Sequence, residues 1–433
     1  MLRLRVQIPL PANFFTMIKA YFKVLKNRNF FFLWLAQLIS QFGDRLTQIA
    51  LVGLVYSKIG VSPLGLAKVM FFTILPVFLI NPLAGVYVDR WDKRKCMYIS
   101  DLLRGLIVLS LALFVPFLKN FIPLYLLIFL TFCVGRFFIP AKMSIIPSLV
   151  REEDIFMANS LVSITANVAA VLGFGAGGLI VERWGAQGGF IIDSITFFLS
   201  SLFIIFIVTK PKGVFKKEDI LEMGRDLIRV EKSLFREFKE GIKYLLSKES
   251  TIFSIKAFSL LFSSLGALYV VFIVFIQETL NTATKDLGFL AVFLGGGLFL
   301  GSLIYGRIAP KFSLNHTISF MFFLSNLFLL SFVISLRFSP FRILVCLFSF
   351  ILGGLISPIV IGVNSLIHKK SEDNFWGRIF SSLEIVMHFS FLIFMFITSL
   401  LAEIYSAFSI IILVGIIGIF ISGLILIKGV KNA

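Results

Sequence analysis

Charge, cysteine and histidine are all scarce in this sequence. Only 15% of its 433 residues are Asp, Glu, Lys or Arg, against about one quarter in a soluble domain, so a water-soluble globule is excluded. Cys96, Cys133 and Cys346 lie in or beside apolar stretches and show no CxxC spacing, which indicates neither a disulfide framework nor a zinc site. His316, His368 and His388 are too isolated in sequence to form a metal cluster. A GxxxxGK[ST] loop is missing as well, leaving no built-in ATPase, so energy for any pumping must come from an ion gradient or a partner. No cofactor or metal is expected. The opening MLRLRVQIPLPANFFT lacks a long apolar core and a small-residue cleavage site; it reads as a poor signal peptide, with Met17 an equal candidate for the start.

What the chain does have is apolar length. It is 58% hydrophobic with a mean hydropathy of +0.98. Stretches of about 20 apolar residues, enough to cross a bilayer as a helix, recur near 30–56, 64–88, 97–118, 121–144, 158–182 and 190–208. A second set follows near 252–276, 287–308, 317–336, 342–366, 379–402 and 407–427. Lipid cannot hydrogen-bond exposed backbone, so each stretch is predicted helical. The expected fold is an all-α membrane protein with twelve transmembrane helices in two six-helix bundles. The 53 Phe residues are spread over nearly every span and read as lipid-facing bulk.

The formal charge of +18 would point to nucleic acid in a soluble protein, but its distribution encodes topology instead. Lys19, Lys23, Lys26, Arg28, Arg90, Lys93, Arg94, Lys95, Arg151 and a run from Lys210 to Lys248 fall on one side. Lys369, Lys370, Arg378, Lys428 and Lys431 join them, while Lys58, Lys119, Arg183, Lys285, Arg337 and Arg342 are scattered on the other. Both termini are therefore expected in the cytoplasm, with the chain in the cell membrane. The expected segments are a cytoplasmic start (1–29), a first bundle (30–209), a linker (210–250), a second bundle (251–427) and a tail (428–433). In the linker, Leu234, Phe235, Phe238, Ile242 and Leu245 face away from Lys232, Arg236, Lys239 and Lys243 at helical spacing. That pattern predicts an amphipathic helix on the cytoplasmic surface, or a plain tether.

The link GVYVDRWDKRK (85–95) has a weaker counterpart in GRIAPKFSLNH (306–316), as expected of two related halves rocking about a central cavity. Residues 85–95 resemble the GxxxDRxGRR signature of the major facilitator superfamily, with Asp92 where a second Gly is usual. FGDRLTQIAL (42–51), SDLLRGL (100–106), IPA (139–141), ANSL (158–161), LGFGAGGL (172–179), DSITFFLS (193–200), EGIKYL (240–245) and WGRIFSS (376–382) are similar to its macrolide-efflux and enterobactin-exporter branch. In LGFGAGGL, Phe174 replaces the Pro usual in exporters, yet Gly173, Gly175, Gly177 and Gly178 still permit close helix approach. The resemblance implies a conformational latch of Gly85, Asp89, Arg90, Lys93 and Arg94, extended by Gly377 and Arg378. A solvated turn that merely sets topology is the plainer reading.

Charges inside the spans are the sharper signals, because burying them in lipid is costly. Asp44 and Arg45 lie near mid-bilayer on the first span, point about 100° apart and so need different partners. Asp44 is the candidate proton-coupling or cation-recognising carboxylate, against a buried structural ion pair as the plainer alternative. Asp101 and Arg104 share a face, and Arg136 should lie at comparable depth; together they are expected to extend the Asp89 latch. Asp193, placed near the outer end of the sixth span, and Glu384 with His388 on the eleventh are further coupling candidates. The function expected is export of an amphipathic drug-, macrolide- or siderophore-like molecule from a weakly polar, aromatic-lined cavity in exchange for protons, by a monomer. Uptake or flipping of a lipid or nutrient is the alternative within the fold, and a receptor or lipid-modifying enzyme the alternative outside it.

Overall fold

The computed structural model describes the backbone of residues 14–114, 117, 121–209, 249–308, 313–338, 341–370 and 376–431. Side chains are described for these except 14–18, 82, 86, 249–258, 307–308, 315, 363–370, 376–384 and 427–431. No strand occurs among the described residues. The α-helices are α1 (Phe14–Leu25), α2 (Arg28–Ile59), α3 (Pro63–Leu79), α4 (Asn81–Arg90), α5 (Lys93–Phe114), α6 (Ile122–Leu149) and α7 (Ile155–Ile205). They continue with α8 (Glu249–Leu280), α9 (Lys285–Ile308), α10 (Leu314–Phe338), α11 (Arg342–Lys370), α12 (Trp376–Ile404) and α13 (Ala407–Lys431). Among the described residues nine helical stretches are long and apolar enough to cross a membrane, or ten with one bent pair. α2 is not among them, since Gln37, Gln41, Asp44, Arg45 and Gln48 interrupt its apolar character. The amphipathic helix expected within 210–250 lies outside the described residues.

Three features depart from the sequence expectation. The fifth and sixth spans, expected as separate helices, are two helices that run into one another with no loop between them, both within α7. Gly185 between them takes φ 70°, the left-handed region open to glycine. A single residue thus reverses the chain, and the limbs 155–184 and 186–205 both lie against α2, where Gly177 and Gly189 approach Leu46. The second span is two helices, α3 and α4, bent by 53° where Pro82 enters the first turn of α4, a position proline favours but cannot continue a preceding helix through.

The third is α1, a helix too short to be stable alone. It is held by Tyr21 Oη to Ser160 Oγ (3.0 Å) and by Lys23 Nζ donating to Glu153 and Asp154 (3.0 Å each). Those bonds hold Lys23 above its ordinary pKa, Asp154 first, and hold Glu153 below its own. The lysine's contribution is complete below its ordinary pKa and lost as pH rises through the raised value. That of Glu153 is complete above its ordinary pKa and lost as pH falls through the lowered one, so the clasp stays intact across neutral pH.

Charge segregates along the bundle. Asn27 donates to Leu149 O (2.6 Å), Asn29 to Val208 O (2.9 Å) and Arg94 to Ile207 O (2.8 Å). These bonds gather the basic residues around 23–28, 90–95 and 151 at one end, the positive end. At the opposite end a continuous apolar core joins both halves, with Leu51, Leu66 and Phe190 packed in one cluster with Val270, Phe332 and Ile411. A separate cluster at the positive end, from Val24 to Ile207, is built, among the described residues, from the first half.

The halves meet along α7–α9 and α3–α12. At the opposite end Glu182 of α7 accepts from Thr284 N (2.8 Å) and Lys285 N (3.1 Å) at the start of α9. Glu403 of α12 likewise accepts from Ser62 Oγ (2.9 Å) and Leu64 N (3.1 Å) at the start of α3. Each carboxylate meets the positive end of a helix dipole from the other half.

The glycines of 173–178 divide between two neighbours. Gly173 and Gly177 face α2, whereas Gly175 and Gly178 face α9, and a Cβ at Gly178 would stand 2.8 Å from Thr284 O and 2.9 Å from Gly288 Cα. Gly178→Val is therefore expected to cost about 1–3 kcal/mol through overpacking. Gly85→Ala, where a Cβ would meet nothing within 4 Å, should be neutral or slightly stabilising. Thermal unfolding in detergent of both variants checks this; equal melting temperatures would remove the close-approach role of Gly178.

Candidate functional site

Between the two apolar clusters lies a polar layer containing a cavity of about 230 Å³. α2 supplies Asp44, Arg45, Thr47 and Gln48; α5 supplies Arg104; α6 supplies Arg136, Phe138 and Lys142; α7 supplies Asp193. Asp44 is about 24 Å along α2 at 1.5 Å per residue, near the helix midpoint. Gly43 beside it lets α7 close in, for a Cβ there would overlap Asp193 and Thr196.

Arg104 organises the charges. Its guanidinium lies 4.1 Å from the Phe197 ring centroid and 5.3 Å from that of Phe138, so the rings fix its plane while its edges stay available for carboxylates. Nη1 donates to Asp44 (3.2 Å) and Nη2 to Asp101. Asp101 is fully buried and also accepts from Ser200 Oγ (2.5 Å). Asp193, fully buried too, accepts from Thr47 Oγ1 and has Thr196 Oγ1 within 3.0 Å. Asp44 differs from both, with 37% of its side chain exposed to the cavity. Arg45 turns away from Asp44, as adjacent helical positions require, donates to Gln48 (2.9 Å) and lies over Phe174 (5.4 Å). Lys142 is only 7% exposed and makes no hydrogen bond or ion pair among the described residues.

The structure brings together Asp44, Arg45, Asp101, Arg104, Arg136 and Asp193. Asp101 and Arg104, expected with Arg136 to extend the 85–95 turn, lie in the polar layer, where Arg104 donates to both Asp101 and Asp44, while Arg94 of the turn reaches Ile207 O. Asp92 accepts from Lys95 N (2.8 Å) and so caps α5. Lys93 Nζ donates to the carbonyls of Val88, Asp89 (2.7 Å) and Trp91 (3.2 Å), satisfying the end of α4. Asp89 and Arg90 are exposed, with Arg90 over the Tyr87 ring.

Asp193 sits about 12 Å past the Gly185 turn, opposite Thr47, well inside the bundle rather than near its outer end. His388 packs edge-on against Phe78, 6.1 Å between ring centroids, on the α3–α12 contact, and does not line the cavity. The side chains of Gly377, Arg378 and Glu384 lie outside the described residues. The cavity is small and combines charged side chains with the rings of Phe132 and Phe138. Sequence reasoning misses Lys142, Thr47 and Thr196. Hydropathy ends the fourth span near 144, which leaves Lys142 at its edge, whereas α6 continues to Leu149 and carries the lysine into the bundle.

Residues 19–359 match the family described as transmembrane secretion effector. The uncharacterized MFS-type transporter YkuC of Bacillus subtilis is 26% identical over 362 residues, 82% of this chain and 81% of that one. Macrolide efflux protein A of Streptococcus pyogenes is 21% identical over 385 residues, 86% and 89% of the two chains. Some other Bacillus relatives match over only 47% and 38% of their own length. The crystal structure of a bacterial homologue of the iron transporter ferroportin, in an inward-facing state, shares the fold. It superposes with a TM-score of 0.70 over 93% of this chain and 98% of that one at 12% identity. With more than half of its length matched, the chain belongs to the transmembrane secretion effector family of major facilitator transporters.

Proposed function

We propose that this chain is a twelve-span secondary transporter of the cell membrane, not an enzyme, that exports a small amphipathic molecule in exchange for protons. The observation that carries the reading is Asp44, a mid-helix carboxylate open to the cavity and bonded to an arginine that is shared with the buried Asp101. A proton taken up by Asp44 removes its attraction for Arg104, which keeps Asp101, so protonation and the arrangement of α2 against α5 change together. Continuous apolar packing and the Glu182 and Glu403 caps hold the halves together at the opposite end, which supports a conformation closed on that side. Export agrees with the secretion description of the family and with the efflux named for the Streptococcus relative.

The test is reconstitution in vesicles with an imposed pH gradient and amphipathic fluorescent dyes of either charge. Expected is dye movement that requires the gradient and stops when an ionophore collapses it. Movement indifferent to the gradient overturns proton coupling, and binding without crossing turns the reading toward a receptor.

A further inference from the structure

We infer that the cavity binds its substrate through an anionic head group, a carboxylate or phosphate, received by the Lys142 ammonium. The inference deepens the export reading and rests on the same cavity. Four cationic side chains line it, Arg45, Arg104, Arg136 and Lys142, against two carboxylates, Asp44 and Asp193. Both carboxylates are already engaged, Asp44 by Arg104 and Asp193 by the hydroxyls of Thr47 and Thr196. Counting Asp101 just behind Arg104 still leaves positive charge in excess. The cationic side has capacity to spare: Lys142 is buried with no hydrogen-bond or ion-pair partner among the described residues, and the Arg45 Nε has none either.

The Lys142 ammonium reaches the cavity with no acceptor of its own among the described residues, so a bound anion supplies the charged partner that the protein does not, whereas a cation would be repelled. Size points the same way. A cavity of about 230 Å³ is smaller than the roughly 300–1,000 Å³ of sites that enclose a drug-sized ligand, so it suits a compact head group with the apolar remainder outside.

The probes are dansyl-6-aminohexanoate and dansylcadaverine, which share fluorophore and linker and carry opposite charge. Binding is measured on the full chain in phosphatidylcholine nanodiscs, where no pH gradient exists. Expected is at least about tenfold tighter binding of the carboxylate, lost in Lys142→Met and kept within about threefold in Lys142→Arg. Equal affinities, a preference for the amine, or an unchanged ratio in Lys142→Met would overturn the proposal; should Lys142→Met not fold, the wild-type ratio and Lys142→Arg still decide it. A second arm adds phosphatidylglycerol: competition with the dansyl acid identifies a lipid head group as an occupant of the same anion site, and its absence identifies a soluble anion. Anion binding without gradient-driven movement would sink the export reading and spare this one, while gradient-driven movement of the amine alone would do the reverse.

Discussion

Asp44→Asn is expected to lower pH-gradient-driven transport by about a hundredfold, toward the upper end of coupling between two sites in one protein. The fold should survive, because the oxygen of the substituted amide can still accept from Arg104 Nη1 and the site is already partly exposed to the cavity. Affinity for the dansyl carboxylate should be kept or tightened, since one negative charge leaves the cavity while Lys142 and the other basic residues are untouched. The substitution therefore separates coupling from recognition, the quantities that a collapsed site would lose together. Parallel measurement of gradient-driven flux and nanodisc binding checks it. Undiminished flux in Asp44→Asn would remove Asp44 from the coupling step and turn attention to Asp193, the other carboxylate lining the cavity.

Removing Arg104 should be the most destabilising single change in the polar layer. Arg104→Met leaves Asp101, fully buried, without its counter-charge, and breaking a buried pair from one side costs about 3–5 kcal/mol. Ser200 remains as a donor but carries no charge. Adding Asp101→Asn in the same chain should recover most of the loss, because the orphaned charge disappears with its partner. Arg104→Lys should recover less: an ammonium has no planar face to pack against Phe197 and Phe138 and no fixed fork to span both carboxylates. Thermal unfolding in detergent should show a fall of roughly 10 °C for the single change and a much smaller one for the double. If the double change melts no higher than Arg104→Met, the stability of this layer comes from ring packing instead.

The same residues show how far the chain can be read without its structure. Asp44, Arg45, Asp101, Arg104, Arg136 and Asp193 all stand out in sequence because ionised side chains are rare in apolar spans. The divergence of Asp44 from Arg45 and the pairing of Asp101 with Arg104 follow from 3.6 residues per turn. Lys142 is hidden by a boundary, since hydropathy places the end of a span only to within a few residues, and here those residues decide between a flanking charge and a buried one. Thr47 and Thr196 lie within quoted motifs but carry no chemical signal of their own: a threonine in a span is ordinary until a carboxylate is packed against it. His388, a titratable residue at similar depth, packs against Phe78 on the contact between the halves, a placement that sequence does not give.

Composition and hydropathy alone determined that this is a helical membrane protein and which links carry its positive charge, because both depend on solvent and on each residue's own chemistry. Helix periodicity added which residues share a face within one helix. Only the tertiary structure decided that α2, α5, α6 and α7 turn those faces toward a common cavity, that one glycine reverses α7, and that the surplus charge there is positive. The rotation of one helix about its axis relative to another is set by packing between segments far apart in the chain, as between Gly43 and Thr196 or Arg104 and Asp44, and no local pattern encodes it.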